Sequence, residues 1–119
     1  MGFVKVKVEI RSAEDPSRRT QVELVADTES IYTIVPHDIL KQLDVKPRGR
    51  RKFRLADERV IERDVGIAEV EIKGEVAHPT VIFGEKDDAA VLGVTALEEL
   101  GLQINPVTGE LKPMELLLL

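Results

Sequence analysis

Along the first strand-length of the chain, apolar residues fall on every second position. Val4, Val6, Val8 and Ile10 alternate with Lys5, Lys7 and Glu9, the period of a strand with one buried and one wet face. Ser12 to Arg19 carries the turn chemistry of Asp15-Pro16-Ser17, and Val22 to Ala26 supplies a second strand, so the opening reads as a hairpin. Asp27-Thr28-Glu29-Ser30 then interrupts the apolar pattern, which resumes through Ile34-Val35-Pro36. A carboxylate fixed at the end of a β-branched strand is costly unless it is hydrogen-bonded or useful. That makes Asp27 the first candidate for chemistry, against the common use of aspartate as a turn residue bonded to its own loop.

Past Pro36 the segment His37 to Leu43 places Leu40 and Leu43 three apart and predicts a short helix opened by the proline. Phe53-Arg54-Leu55-Ala56 alternates, Asp57-Glu58-Arg59 breaks the pattern, and Val60-Ile61 resumes it through Ile67, Val70 and Ile72. This predicts a long hairpin with a polar tip, centred on about residues 53–65. Lys73-Gly74 predicts a tight turn, and Val76 to Phe83 a single further strand, placed at an edge or bulged by Pro79. Ala90-Val91-Leu92-Gly93 reads as a small buried strand, and residues 94–100 as a helix stopped by Gly101. Leu102-Gln103-Ile104 and Glu110-Leu111-Lys112 form a last hairpin around Asn105-Pro106-Val107-Thr108-Gly109.

One echo runs through this order. Ile34 to Val45 lies over Val91 to Leu102 without a gap, pairing Ile34 with Val91, Val35 with Leu92, Ile39 with Ala96, Leu40 with Leu97, Leu43 with Leu100 and Val45 with Leu102. A strand-to-helix unit used twice gives this signature, and so does chance patterning of apolar residues.

Length allows one domain, residues 1–119, and no second independent core. Hydrophobic residues at 43% with charged residues at 33% describe a globular chain with a charged surface and argue against disorder. Lys46 to Arg54 is a basic run, yet a net charge of -5 and 3% aromatic residues argue against nucleic acid, since stacking platforms are scarce. With no cysteine there is no disulfide or thiolate metal site, and the expected compartment is cytoplasmic. The first residues alternate and lack the apolar core of a signal peptide. His37 and His78 are separated and read as surface residues, so no metal site is expected. Leu116 to Leu119 is far shorter than the ~20 residues of a membrane span. We expect protein to cover it, as part of the core or as an interface with a second subunit.

In this order the pieces resemble the retropepsin-like aspartic peptidases, the single-domain relatives of the retroviral proteases. The resemblance covers nearly the whole chain. The family's Asp-Thr-Gly followed by Ala or Ser is matched by Asp27-Thr28-Glu29-Ser30, its flap by Leu55 to Val60, and its two-apolar-plus-Gly element before a helix by Val91-Leu92-Gly93 and Val94 to Leu97. It implies an all-β, closed barrel-like acid protease fold with one or two short helices, in a symmetric homodimer with the site on the twofold axis. It also implies Asp27 as the catalytic residue contributed by each subunit, Thr28 cross-bonding to its twin, Ser30 bonding the Asp27 carboxylate, and no cofactor. The substrate would be a peptide or protein, gated by Glu29 and by Ala56, Asp57 and Glu58 of the flap tip. The chain departs from the family at Glu29, where the family has glycine, and at Glu58, where glycine is frequent. Two readings follow: an aspartic endopeptidase, working at acidic pH on basic peptides, or a catalytically silent dimer of the same fold that binds peptides or serves assembly.

Overall fold

The structure, a computed structural model, describes residues 3–105 and 107–118, with Phe3 described through its backbone alone. The alternating opening folds into β1 (Phe3–Ser12) and β2 (Arg19–Asp27), antiparallel in a register that runs from Phe3 opposite Asp27 to Arg11 opposite Arg19. The inward positions Val8, Ile10, Leu24 and Ala26 are buried. Asp15 closes the connection by accepting the Ser17 N–H and hydroxyl, the turn chemistry read from the sequence.

Next come β3 (Thr33–Pro36) and α1 (His37–Gln42), then β4 (Gly49–Arg54) and the long β5 (Val60–Ile72). β6 (Glu75–Ala77), β7 (Thr80–Gly84), β8 (Val91–Leu92) and α2 (Val94–Glu99) follow, and β9 (Leu102–Ile104) with β10 (Leu111–Pro113) ends the order. The fold is mostly β with two short helices. The main sheet runs β1-β2-β8-β3-β7-β5-β4, with β6 on β5 and a further pairing of β1 with β5 over Glu9 to Ser12.

The decisive feature is the place of β8. β2 and β3 are consecutive in the chain, yet β8 lies between them, parallel to β2 through Val25–Val91 and antiparallel to β3 through Ile34–Val91. The Asp27 loop therefore arches over the end of β8 instead of turning a simple hairpin.

Two segments differ from the sequence expectation. Val76 to Phe83 is two strands, β6 on β5 and β7 between β3 and β5, because Pro79 has no N–H to give a ladder; its carbonyl still accepts the Ala68 N–H. The basic run is also a strand: β4 is one arm of the predicted long hairpin, which begins at Gly49 rather than near Phe53. Its side chains are exposed apart from half-buried Phe53, so no hydrophobic alternation announced it. Charged residues suit a sheet edge, where they discourage pairing with other chains.

The Lys73-Gly74 turn forms as expected, both residues having positive φ (52° and 83°). The last hairpin forms as well, with Asn105 N–H on Glu110 O and Gly109 at φ 75°. Pro106 of that turn, Leu119 of the tail, and Met1 and Gly2 lie outside the described residues. The echo has a structural counterpart, because Ile34 and Val91 face each other across the ladder. Each helix then ends in the same way: buried Leu43 and Leu100 precede left-handed Asp44 (φ 61°) and Gly101 (φ 69°), and buried Val45 and Leu102 follow. Leu40 and Leu97 seat the two helices on one core with Leu24, Val35 and Leu92.

Candidate active site

Asp27 is the last residue of β2 and is half-buried. Its Oδ1 accepts the Glu29 N–H at 2.9 Å and its carbonyl accepts the Ser30 N–H at 3.2 Å. The carboxylate is thus oriented by its own loop, the bonding that a turn aspartate makes. Ser30 enters through its backbone, and the bond to the Asp27 carboxylate comes from Glu29 N–H, not from the Ser30 hydroxyl named in the sequence expectation. Thr28 and Glu29 are exposed. Among the described residues the non-glycine positions with left-handed backbone are Asp44, Glu58 and Lys73. Glu29 is not one of them, so the glutamate fits its loop without the strain that would call for glycine.

The loop is tied down from below. Helix α2 has no side-chain cap, and its first N–H groups need acceptors. The loop supplies them: Val94 N–H donates to Ser30 O at 2.7 Å and Thr95 N–H to Ile31 O at 3.4 Å. Buried Thr33 accepts the Gly93 N–H on its hydroxyl at 3.0 Å. Gly93 is required by this closeness, since a Cβ there would lie 2.6 Å from Ile31 O and closer still to Tyr32 O. Thr33 was not singled out from the sequence. Its partner lies 60 residues away, and nothing local distinguishes a buried Thr from any strand Thr.

The hairpin expected as a flap is formed by β4 and β5. Its tip, Ala56, Asp57 and Glu58, is exposed, and the turn closes through Leu55 N–H on Arg59 O and Glu58 N–H on Leu55 O. Asp57 accepts the backbone and side-chain N–H of Arg59, in that order of effect, which hold its carboxyl below the ordinary value. Glu58 sits at φ 73° and reaches Arg54 at 3.4 Å. The hairpin meets the loop segment at Tyr32, whose ring packs edge-on against Phe53 with centroids 5.6 Å apart and whose hydroxyl accepts Arg51 Nη1 at 3.0 Å. Neither Tyr32 nor Arg51 was singled out as a site residue by sequence, because the contact crosses 19 positions.

Elsewhere the charges pair with each other. Arg11 is clamped by Glu9, Glu69 and Glu71, Glu69 also meets His78 Nε2 at 2.9 Å, and Arg63 grips Asp88 with two bonds. His37 packs on Phe83. Among the described residues no group of three His, Cys, Asp or Glu is arranged to hold a metal, and no helix is long and apolar enough to cross a membrane. A surface hollow walled by Pro36, His37, Asp38, Gly84, Glu85, Lys86 and Asp88 takes nothing from the Asp27 loop.

No protein-family model matches the chain, and no curated protein matches it.

Proposed function

We propose that the protein is a homodimeric aspartic endopeptidase in which Asp27 of each subunit forms one half of a catalytic dyad. The observation that carries this reading is the oriented Asp27 loop: a carboxylate at a strand end, fixed by Glu29 N–H and anchored to α2 through Ser30 and Ile31, with a hairpin that meets the same segment at Tyr32. The return of the sheet through the β1–β5 pairing supports the closed, barrel-like acid protease fold. A single chain brings one Asp27, so the paired carboxylates of this reading need a second copy of the chain.

Two carboxylates about 3 Å apart cannot both ionise and share a proton. One Asp27 takes a proton from water as it attacks a peptide carbonyl, and the other donates a proton; the roles exchange when the tetrahedral intermediate collapses. Thr28, exposed beside Asp27, is where the two loops meet. Glu29 and the flap residues Ala56, Asp57 and Glu58 gate the groove.

A second reading, a catalytically silent peptide-binding or assembly dimer, is favoured by one observation: Glu29 adds a carboxylate beside each Asp27. A peptide library assayed from acidic to neutral pH separates the two. The endopeptidase cleaves, and Asp27→Asn lowers the rate by at least about a hundredfold. Absence of cleavage by the parent at every pH removes the first reading and leaves the second.

A further inference from the structure

We infer that Arg51 is a specificity residue that binds a carboxylate of an acidic peptide lying in the groove beneath the flap. The inference deepens the groove reading above and rests on it.

Cross-strand register sorts the hairpin's charges onto two faces. On one face Arg50, Lys52 and Arg54 stand with Val60, Glu62 and Asp64. There Arg50 reaches Glu62 at 3.7 Å and Asp64 at 2.8 Å, and Arg54 reaches Glu58, so that face is largely neutralised. On the other face stand Arg51, Phe53, Ile61 and Arg63. This is the face turned toward the loop, because Arg51 and Phe53 both contact Tyr32. Arg63 is occupied by Asp88. Among the described residues no carboxylate lies within 4.0 Å of the Arg51 guanidinium.

Arg51 is nevertheless held in place. Its Nη1 donates to Tyr32 Oη at 3.0 Å, and its guanidinium carbon lies 6.0 Å from the centre of the Tyr32 ring. A guanidinium presents five N–H donors in a rigid fork, and the tyrosine takes one of them. Arg51 is exposed, and the remaining donors match a carboxylate in geometry and charge. Ile31, 64% exposed in the same loop segment, adds apolar surface for the body of the peptide. Tyr32 is five positions beyond Asp27 in sequence, so the acidic residue would sit to one side of the reacting bond. The acids of the flap tip do not oppose this selection, since Asp57 and Glu58 are engaged by Arg59 and Arg54.

The test uses the full chain carrying Asp27→Asn, so that binding is read without turnover. Fluorescently labelled peptides are compared as pairs that differ only by Glu or Gln at each position in turn. A preference for Glu at one position is expected, roughly tenfold in Kd for one charge-assisted contact. Arg51→Gln is expected to abolish it and Arg51→Glu to turn it toward lysine at the same position. Tyr32→Phe, which removes the acceptor that positions Arg51, is expected to shrink the preference, with Arg51→Lys restoring only part of it. Lys52→Gln removes the same charge from the outer face and is expected to keep the preference; thermal melting checks that every variant is folded. Binding of peptides without a Glu preference, or a preference lost equally in Lys52→Gln, overturns the role of Arg51 and leaves the groove intact. Failure of the Asp27→Asn protein to bind any peptide, together with absence of cleavage by the parent, overturns the groove and Arg51 with it.

Discussion

Glycine at a position such as 29 offers two things, backbone freedom and empty space, and only the second is at stake in this protein. Glu29 adopts no left-handed conformation, whereas Glu58 does, at φ 73°. The sequence presented these two glutamates as parallel departures from a glycine pattern. They are physically different, because φ is set by how a turn closes and is not written in the residue that occupies it. Glu29→Gly therefore relieves no strain. It increases the freedom of the unfolded chain and is expected to lower stability by about 0.5–1 kcal/mol, read as a fall of a few degrees in Tm. In the peptidase reading it also removes two carboxylates from the shared site, and turnover of a neutral peptide is expected to rise. Turnover that stays level or falls would show that the groove accommodates or uses the glutamate.

The loop's rigidity belongs to elements rather than residues. β8 inserted between β2 and β3 sets the height of α2, and α2 hangs its first turn on Ser30 and Ile31 carbonyls. Gly93 is the hinge point of this contact. Gly93→Ala forces a Cβ against two backbone carbonyl oxygens that cannot swing aside, and is expected to cost about 3 kcal/mol and to disturb peptide cleavage or binding along with stability. Gly49→Ala is the control, since its Cβ meets only a Val65 methyl at 3.9 Å; equal denaturation midpoints for the two variants would contradict the close approach. The strands around this contact were legible, because β1, β2 and β5 each carry a buried face that repeats every second residue. The helices were legible through Leu40 with Leu43 and Leu97 with Leu100. What could not be read was which strands lie side by side beyond the hairpins: β8 has two residues and no periodicity of its own, and its neighbours were chosen by long-range packing. The same holds for β4, whose exposed basic face hides its strand character, and for the Tyr32–Arg51 contact that depends on it.

Over the whole molecule, acid and association set the conditions under which any shared dyad works. Asp88 is held below its ordinary carboxyl value first by the Arg63 hydrogen bond and then, against the opposing cost of burial, by Glu85 N–H; Glu69 is lowered chiefly by Arg11. A depressed folded value means stability that is present above the unfolded value of about 4 and lost as pH falls through the folded one. The chain is expected to lose stability below about pH 4, with Asp88→Asn less stable at neutral pH by about 1–3 kcal/mol and flatter in its acid dependence; parallel pH curves for the two proteins would contradict this. A dyad operating in mild acid therefore has a floor set by these pairs. Association is the other condition. Leu116, Leu117 and Leu118 are 55, 85 and 95% exposed, a run of apolar surface that a lone globule seldom leaves in water. A twofold partner that covers this run would bury it on both copies at once, with burial of each leucine favourable by about 1.5–3 kcal/mol. Light scattering is expected to give twice the 13.3 kDa chain mass, and Leu117→Glu with Leu118→Glu to give the single mass. Those two residues lie outside the Asp27 loop, so the double variant distinguishes assembly from chemistry. Any cleavage by the parent should become second order in protein on dilution, and in the variant it should return only as concentration rises. A parent that stays strictly monomeric at high concentration would rule out a dyad shared between copies, whatever the geometry of Asp27 within one chain.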